Sequence, residues 1–223
     1  STAAIMADVC GRLTGIPGVC FGTFGPGATN LSTGVGGAML DRSPLIAFAD
    51  EMPDHLLKRT VQMNIDHQQL FFPITKWTSR LKKDNVDELI LKGANIAVDE
   101  YPGSVYLGVP AGIGQQMVGE SKNEINYLRL EKETPQSQDD EFYQDLAHFF
   151  SLAKRPVLAV GLSAVRAGLK NEIRQIVEKF QLPVVLTPMA KGMFSEDHQL
   201  YAGVLFHALS DVVSETYRQA DLV

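Results

Sequence analysis

The chain has 223 residues, enough for one large domain or two ordinary ones, and its 45% hydrophobic and 21% charged content is that of a core-forming protein. A net charge of −6, a pI of about 5.4 and the lack of a basic run argue against nucleic acid or an anionic membrane as partner. No stretch approaches the roughly 20 apolar residues of a membrane span, no signal peptide is evident, and two cysteines, Cys10 and Cys20, cannot build a disulfide scaffold or a zinc knuckle.

Both cysteines read as buried, reduced thiols of a cytoplasmic protein. The chain opens on "STAAIMADVCGRLTG", without Met, and stops on "RQADLV", so both ends read as cut. Residues 2–14 have a helical pattern with Ala3, Met6, Ala7 and Leu13 near one face and Gly15 as the stop. "GVCFGTF" (18–24) reads as a buried strand, 28–41 as a helix and "SPLIAFA" (43–49) as the next strand. A strand at 76–81, a helix at 85–99 capped by Asp84 or Asn85, and a buried strand "GSVYLGVP" (103–110) follow. Strands alternating with helices predict a parallel sheet with helices on both faces.

From Ala111 to about Ser137 the chain turns polar and weakly periodic, which predicts an interdomain linker over 113–137 between domains at 1–112 and 138–223. The alternation then resumes. A helix at 139–152 (Phe142, Leu146, Phe149, Phe150), strand "RPVLAVG", helix 165–179, strand "LPVVLTP", a loop at 188–207 and a helix at 208–218 make up much of a second Rossmann-like domain. The fold class expected is therefore α/β, with two parallel-sheet, three-layer domains, both truncated.

The stretch "GTFGPGATN" (22–30) is the unusual one. A strand, a glycine-rich turn and a helix make a common anion site. Yet "GPGATN" lacks the Lys-Ser/Thr of a P-loop and the spacing of a dinucleotide fingerprint, and Pro26 removes a donor. A structural turn is one reading; the sharper one is a backbone-lined pocket for a neutral ring, with Gly25 and Gly27 permitting close approach and Asn30 offering a polar tip. Gly34, Gly36 and Gly37 inside the following helix each cost roughly 0.5–1 kcal/mol against alanine, which predicts close packing by a helix, a second subunit or a ligand. "VGLSAVRAG" (160–168) has no acidic residue in the dinucleotide register. The histidines (55, 67, 148, 198, 207) lack metal-ligand spacing, so surface or packing roles are the default, Asp66-His67 included. Asp50, Glu51 and Asp54 follow a strand's C-terminal end and are either functional or a solvated loop.

Taken together, "ADVCGRLTGIPGVCFGTFGPGATNLSTGVGGAMLDRSPLIAFADEMP", "PITKW" and "GSVYLGVP" resemble the thiamine-diphosphate enzymes of the acetolactate synthase, pyruvate oxidase and benzoylformate decarboxylase group. "RPVLAVG…LPVVLTPMAKGMFSEDHQLYAG…ADLV" resembles the same group's middle domain. The resemblance implies an N-terminal domain that grips the cofactor's aminopyrimidine, a Rossmann-like middle domain, and a C-terminal domain holding the diphosphate and Mg2+ through a GDG…N motif. It implies a homodimer or homotetramer and a small 2-keto acid substrate that is decarboxylated, its two-carbon unit passing to an acceptor. It also places the catalytic glutamate just before Ser1, outside this chain, so no catalytic residue and no metal ligand is expected here and the fragment alone should be inactive. Gly25, Pro26, Gly27 and Asn30 are the implied cofactor contacts, with Gln62, from "VQMNID", standing where the family has Phe-Gln-Glu.

Two departures stand out. The family's Gly-Gln turn after the second strand is Asp50-Glu51 here, and the glycine-rich segment of FAD-binding members is matched by "VLFHAL" (204–209), which argues against FAD. Other readings are a related decarboxylase or acyl transferase of the sulfoacetaldehyde or oxalyl-CoA type, a noncatalytic module of the same fold, and a nucleotide-binding module.

Overall fold

Gly15 ends the first helix where the sequence puts its stop: α1 (Thr2–Thr14) closes with Gly15 at φ 73°, donating its N–H to Gly11 O. The computed structural model describes residues 1–117, 139–206 and 209–223. The chain divides into two compact units, Ser1–Lys132 and Glu133–Val223.

In the first unit β1 (Gly18–Gly22), α2 (Pro26–Leu40), β2 (Leu45–Glu51), α3 (His67–Phe71), β3 (Trp77–Arg80), α4 (Val86–Val98) and β4 (Ser104–Pro110) follow α1. The strands form one sheet in the order β1-β2-β4-β3, every pair parallel. Alternation along the central strands sorts the core into two layers. Leu45, Ala47, Ala49 and Tyr106 face α1, α2 and Phe71, while Ile46, Val105 and Leu107 face Ala94 and Ala97 of α4. Burying such side chains stabilises the unit by roughly 1.5–3 kcal/mol for each of the larger ones.

The second unit repeats the plan. It contains α5 (Asp140–Leu152), β5 (Leu158–Val160), α6 (Leu162–Ala167), α7 (Lys170–Phe180), β6 (Val184–Leu186), β7 (Tyr201–Val204) and α8 (Asp211–Gln219). Its parallel strands run in the order β5-β6-β7. Val184 and Leu186 pack with Ile173 and Val177 on one face; Val185 packs with Val157 and Val213 on the other. Both units are thus three-layer α/β structures.

The structure corrects several local expectations. The buried stripe of α1 is Ala4, Ala7, Asp8 and Gly11, whereas Met6 and Leu13 are 64% and 80% exposed. Small residues win that face because α2 lies close against it: a Cβ at Gly34 would be 2.6 Å from the Ala4 Cβ. The three glycines of α2 therefore separate into one that a helix requires and two, Gly36 and Gly37, with room for a methyl group. Cys20 is buried but Cys10 is exposed. Strand β1 is an edge strand, with Val19 and Phe21 more than half exposed. Asn85, not Asp84, is the N-cap position of α4.

In the second unit the helix expected at 165–179 is two helices, broken at Gly168 with φ 71°. The loop expected at 188–207 contains β7, and α5 has no buried residue, Phe142, Leu146 and Phe149 all being exposed. "ADLV" contributes one parallel bridge, Pro156 to Leu222. Most of the expected linker, 118–137, lies outside the described residues.

Candidate functional site

Because parallel strands run the same way, β1, β2, β3 and β4 deliver Gly22, Glu51, Arg80 and Pro110 to one edge of the sheet. Ligand sites of α/β sheets lie beyond this edge. The turn after β1 starts α2 at Pro26, whose missing N–H costs nothing at the first helical position. Gly25 sits at φ 49°, and a Cβ there would lie 2.5 Å from Met63 O. A Cβ on Gly27 would lie 2.8 Å from Thr23 Cγ2. Both glycines are therefore required by the protein's own packing, where the sequence suggested close approach by a neutral ring.

That packing joins the turn to the segment 61–64. Met63 is itself in the left-handed region, at φ 63°, and Asn64 Nδ2 anchors the loop by donating to Arg59 O at 2.9 Å and Leu57 O at 3.1 Å. Gln62, one residue before the contact with Gly25, is exposed. On the outer side of the turn Pro26 and Asn30 are exposed, and Asn30 Nδ2 donates to Pro26 O at 2.8 Å. The five candidate contact residues thus fall on two adjoining segments.

Beneath the turn lies a polar network that the sequence did not reveal. The Gly25 N–H donates to His67 Nε2 at 3.1 Å; the other ring nitrogen, Nδ1, is 3.3 Å from the Tyr106 hydroxyl; and Tyr106 donates to Glu51 Oε1 at 2.9 Å. Glu51, 3% exposed, also accepts from Gln68 Nε2 at 2.8 Å and from Arg80 Nε at 2.6 Å. The remaining Arg80 nitrogens reach Asp54 and Met52 O. A backbone N–H can only donate, so Nε2 must be bare and the proton must reside on Nδ1, where it faces Tyr106. The tautomer follows from the network.

The electrostatics agree. Burial holds the His67 imidazole below its ordinary value near 6.5, against the pull of Glu51, Asp66 and Asp50. Burial, reinforced by the Glu51 charge, pushes the Tyr106 phenol far up, so it keeps its proton. Tyr106 is fully buried, with Phe71 stacked on its ring at 4.1 Å. Asp66 caps α3 by accepting from Gln69 N at 2.9 Å. The adjacent Asp66 and His67 therefore have separate tasks, one holding the helix start and the other the turn. The acidic trio likewise divides, with Glu51 buried and Asp54 exposed.

What could bind at the turn follows from its donors. A phosphate would need free N–H groups at the start of α2. The Gly25 N–H is used by His67, Pro26 has none, and the Gly27 N–H donates to Phe24 O at 3.1 Å. The turn therefore does not fit a diphosphate. The exposed side chains here are the Pro26 ring and the amides of Asn30 and Gln62. Among the described residues no group of three or more His, Cys, Asp or Glu could hold a metal ion. His55 and His148 are exposed, His198 packs edge-on against Phe194, and His207 lies outside the described residues. The 160–168 segment forms a helix of only six residues, and "VLFHAL" is described only in part.

The signal that could have found the network was Tyr106, the one polar side chain within the apolar run "VYLGVP". A buried phenol needs a partner, and the C-terminal end of the neighbouring strand was the place to look for one.

Residues 1–70 match the N-terminal TPP binding domain of the thiamine pyrophosphate enzymes, and residues 143–223 match the central domain of the same enzymes. The chain is 32% identical over 210 residues to acetolactate synthase of Arthrospira platensis, covering 91% of this chain and 35% of that protein. It is 32% identical over 224 residues to the acetolactate synthase isozyme 1 large subunit of Escherichia coli K12 (99% of this chain, 39% of that one). Against the acetolactate synthase of Bacillus subtilis 168 the identity is 34% over 197 residues (87% and 34%). The chain spans about a third of the length of these relatives. By both domain matches and by these relatives, the chain belongs to the thiamine pyrophosphate enzymes.

Proposed function

We propose that this chain is the pyrimidine-binding domain (1–112), linker (113–137) and middle domain (138–223) of an acetolactate synthase-like enzyme. The carrying observation is the turn at Gly25, Pro26 and Gly27, held by His67 and by Met63 in a domain of the TPP-binding type. Gly25, Pro26, Gly27, Asn30 and Gln62 would meet the cofactor's pyrimidine end, with Pro26 against the ring face and the amides at its edges. Thiamine diphosphate, when bound, supplies the electron sink for breaking the bond beside a 2-keto group. This chain's part is to orient the ring. The catalytic glutamate would precede Ser1, and the diphosphate and Mg2+ would be held by a further domain.

On this reading the full-length enzyme decarboxylates a small 2-keto acid and transfers the two-carbon unit, works as a homodimer or homotetramer, and this chain alone is inactive. The two cysteines, both unpaired, support a reducing, cytoplasmic setting. The test is to incubate the full-length protein with thiamine diphosphate, Mg2+ and pyruvate and to assay carbon dioxide and acetolactate. Both products are expected. Carbon dioxide without acetolactate would make it a decarboxylase instead, and neither product would overturn the pyruvate reading.

A further inference from the structure

Besides packing against Met63, the turn at Gly25 is tied by a hydrogen bond to a distant segment of chain. Its local hydrogen bonds, Gly27 N to Phe24 O and Thr29 N to Gly25 O, close the turn on itself but do not fix it to the sheet. The Gly25 N–H points inward and is accepted by a side chain 42 residues away in sequence. That side chain is itself fixed on every side. Asp66 caps the helix that carries it, the Tyr106 hydroxyl, itself held by Glu51, takes up the Nδ1 edge, and Phe71, on the same helix, stacks on Tyr106.

We propose that His67 is a positioning residue for the cofactor turn: by accepting the Gly25 N–H at Nε2, with its own proton held on Nδ1, it keeps Gly25, Pro26 and Gly27 in the conformation that meets the thiamine ring. This inference rests on the reading that the turn meets the cofactor. It also gives the turn a dependence on acidity. Adding a proton at Nε2 would set one N–H against another and release Gly25. The groups facing the imidazole are Asp50 and Glu51 of β2, Asp66 at the start of α3 and the Tyr106 hydroxyl of β4; Arg80 of β3 bears on the ring only through Glu51. The first turn of α2 carries no acidic residue. The carboxylates favour the added proton and burial opposes it, with burial the larger effect. Release is therefore confined to pH below the ordinary histidine value near 6.5.

The test uses the full-length protein with His67→Gln and His67→Leu, each checked for folding by circular dichroism. Glutamine can present an amide oxygen to the Gly25 N–H but cannot titrate; leucine can do neither. The dissociation constant for thiamine diphosphate is measured by calorimetry from about pH 5 to 8, across the histidine range. Hydrogen exchange of the peptide 22–30 is followed without cofactor. His67→Leu should speed exchange at Gly25 and weaken binding about tenfold, as losing one buried hydrogen bond implies. His67→Gln should restore both to within about threefold and remove the acid-side weakening seen in the wild type.

Unchanged exchange and affinity in His67→Leu would overturn the proposal. So would a glutamine variant that behaves like leucine, or one that keeps the wild-type acid limb. If exchange responds as expected but the wild type shows no saturable binding, the cofactor reading fails while His67 stands as the support of the turn.

Discussion

Glu51 and Gly108 share one volume. A Cβ at position 108 would overlap the Glu51 carboxylate, coming within 2.8 Å even of its farther oxygen. The glycine is there so that the carboxylate can lie against the neighbouring strand and reach Tyr106, Gln68 and Arg80. Gly108→Ala should therefore destabilise the protein by about 2–4 kcal/mol in urea unfolding, because it displaces a buried, hydrogen-bonded charge. Glu51→Gln, which keeps the shape and one carbonyl, should cost about 1–2 kcal/mol, and Glu51→Leu more, since it leaves Tyr106 and Arg80 without their acceptor. Equal costs for the two Glu51 variants would show that the network contributes nothing beyond packing.

The glycines of α2 give a second, internally controlled prediction. Gly34→Ala would drive a methyl group to within 2.6 Å of Ala4 Cβ and 2.9 Å of the α1 backbone. A loss of about 1–3 kcal/mol is expected from such overpacking. Gly37→Ala meets nothing within 4 Å and should stabilise by roughly 0.5–1 kcal/mol through helix propensity. Thermal melts of the two variants should move in opposite directions.

At the site, Gly25→Ala faces two penalties, the φ of 49° and the contact with Met63 O. Binding of thiamine diphosphate to the full-length protein should weaken by about tenfold or more, whereas Asn30→Ala, on the exposed side, should weaken it while leaving the melting temperature unchanged. A Gly25→Ala protein with wild-type affinity would remove the turn from the site.

Cys20 is buried in the core of the first unit, and burial pushes its thiol up to about 11. In the native protein at pH 8 it should not react with a disulfide reagent, and it should become reactive only across the unfolding transition. Fast native labelling at position 20, read by peptide mapping, would contradict the packing described.

Acid stability should report on His67. Its imidazole binds a proton less readily when folded than when unfolded. The unfolded chain therefore takes up more protons as the pH falls, and stability rises with pH in that range. The contribution of the neutral ring is complete above about 6.5, the unfolded value, and is lost as the pH drops towards the depressed folded value. Unfolding curves between these limits should flatten in His67→Gln. An unchanged slope would assign the acid sensitivity to another group.

The order of elements in both units was legible because buried parallel strands and amphipathic helices leave strong local patterns. What escaped was set by tertiary contacts. Met6 and Leu13 suggested the buried face of α1, but the close approach of α2 selects alanine and glycine instead. α3 is a single helical turn of five residues, too short for a period to show, and β7 occupies four residues between turns. At the site, the glycine-rich turn was visible as a motif. Its support was not, because Glu51, His67 and Tyr106 come from separate elements, and neither spacing nor composition says that they meet.

The sequence distances in that support bear on how the chain folds. Gly25 and His67 are 42 residues apart, His67 and Tyr106 are 39, and Glu51 and Tyr106 are 55. Tyr106 lies on β4, the last strand in chain order of the first unit's sheet, which must insert between β2 and β3. Loop closure of this kind is slow relative to helix formation. The turn at Gly25 can therefore acquire its shape early from local bonds, but it becomes anchored only after the middle of the sheet has paired. Anchoring of the turn is therefore a late event in folding, and a kinetic probe at Gly25 should register the pairing of β4 with its neighbours.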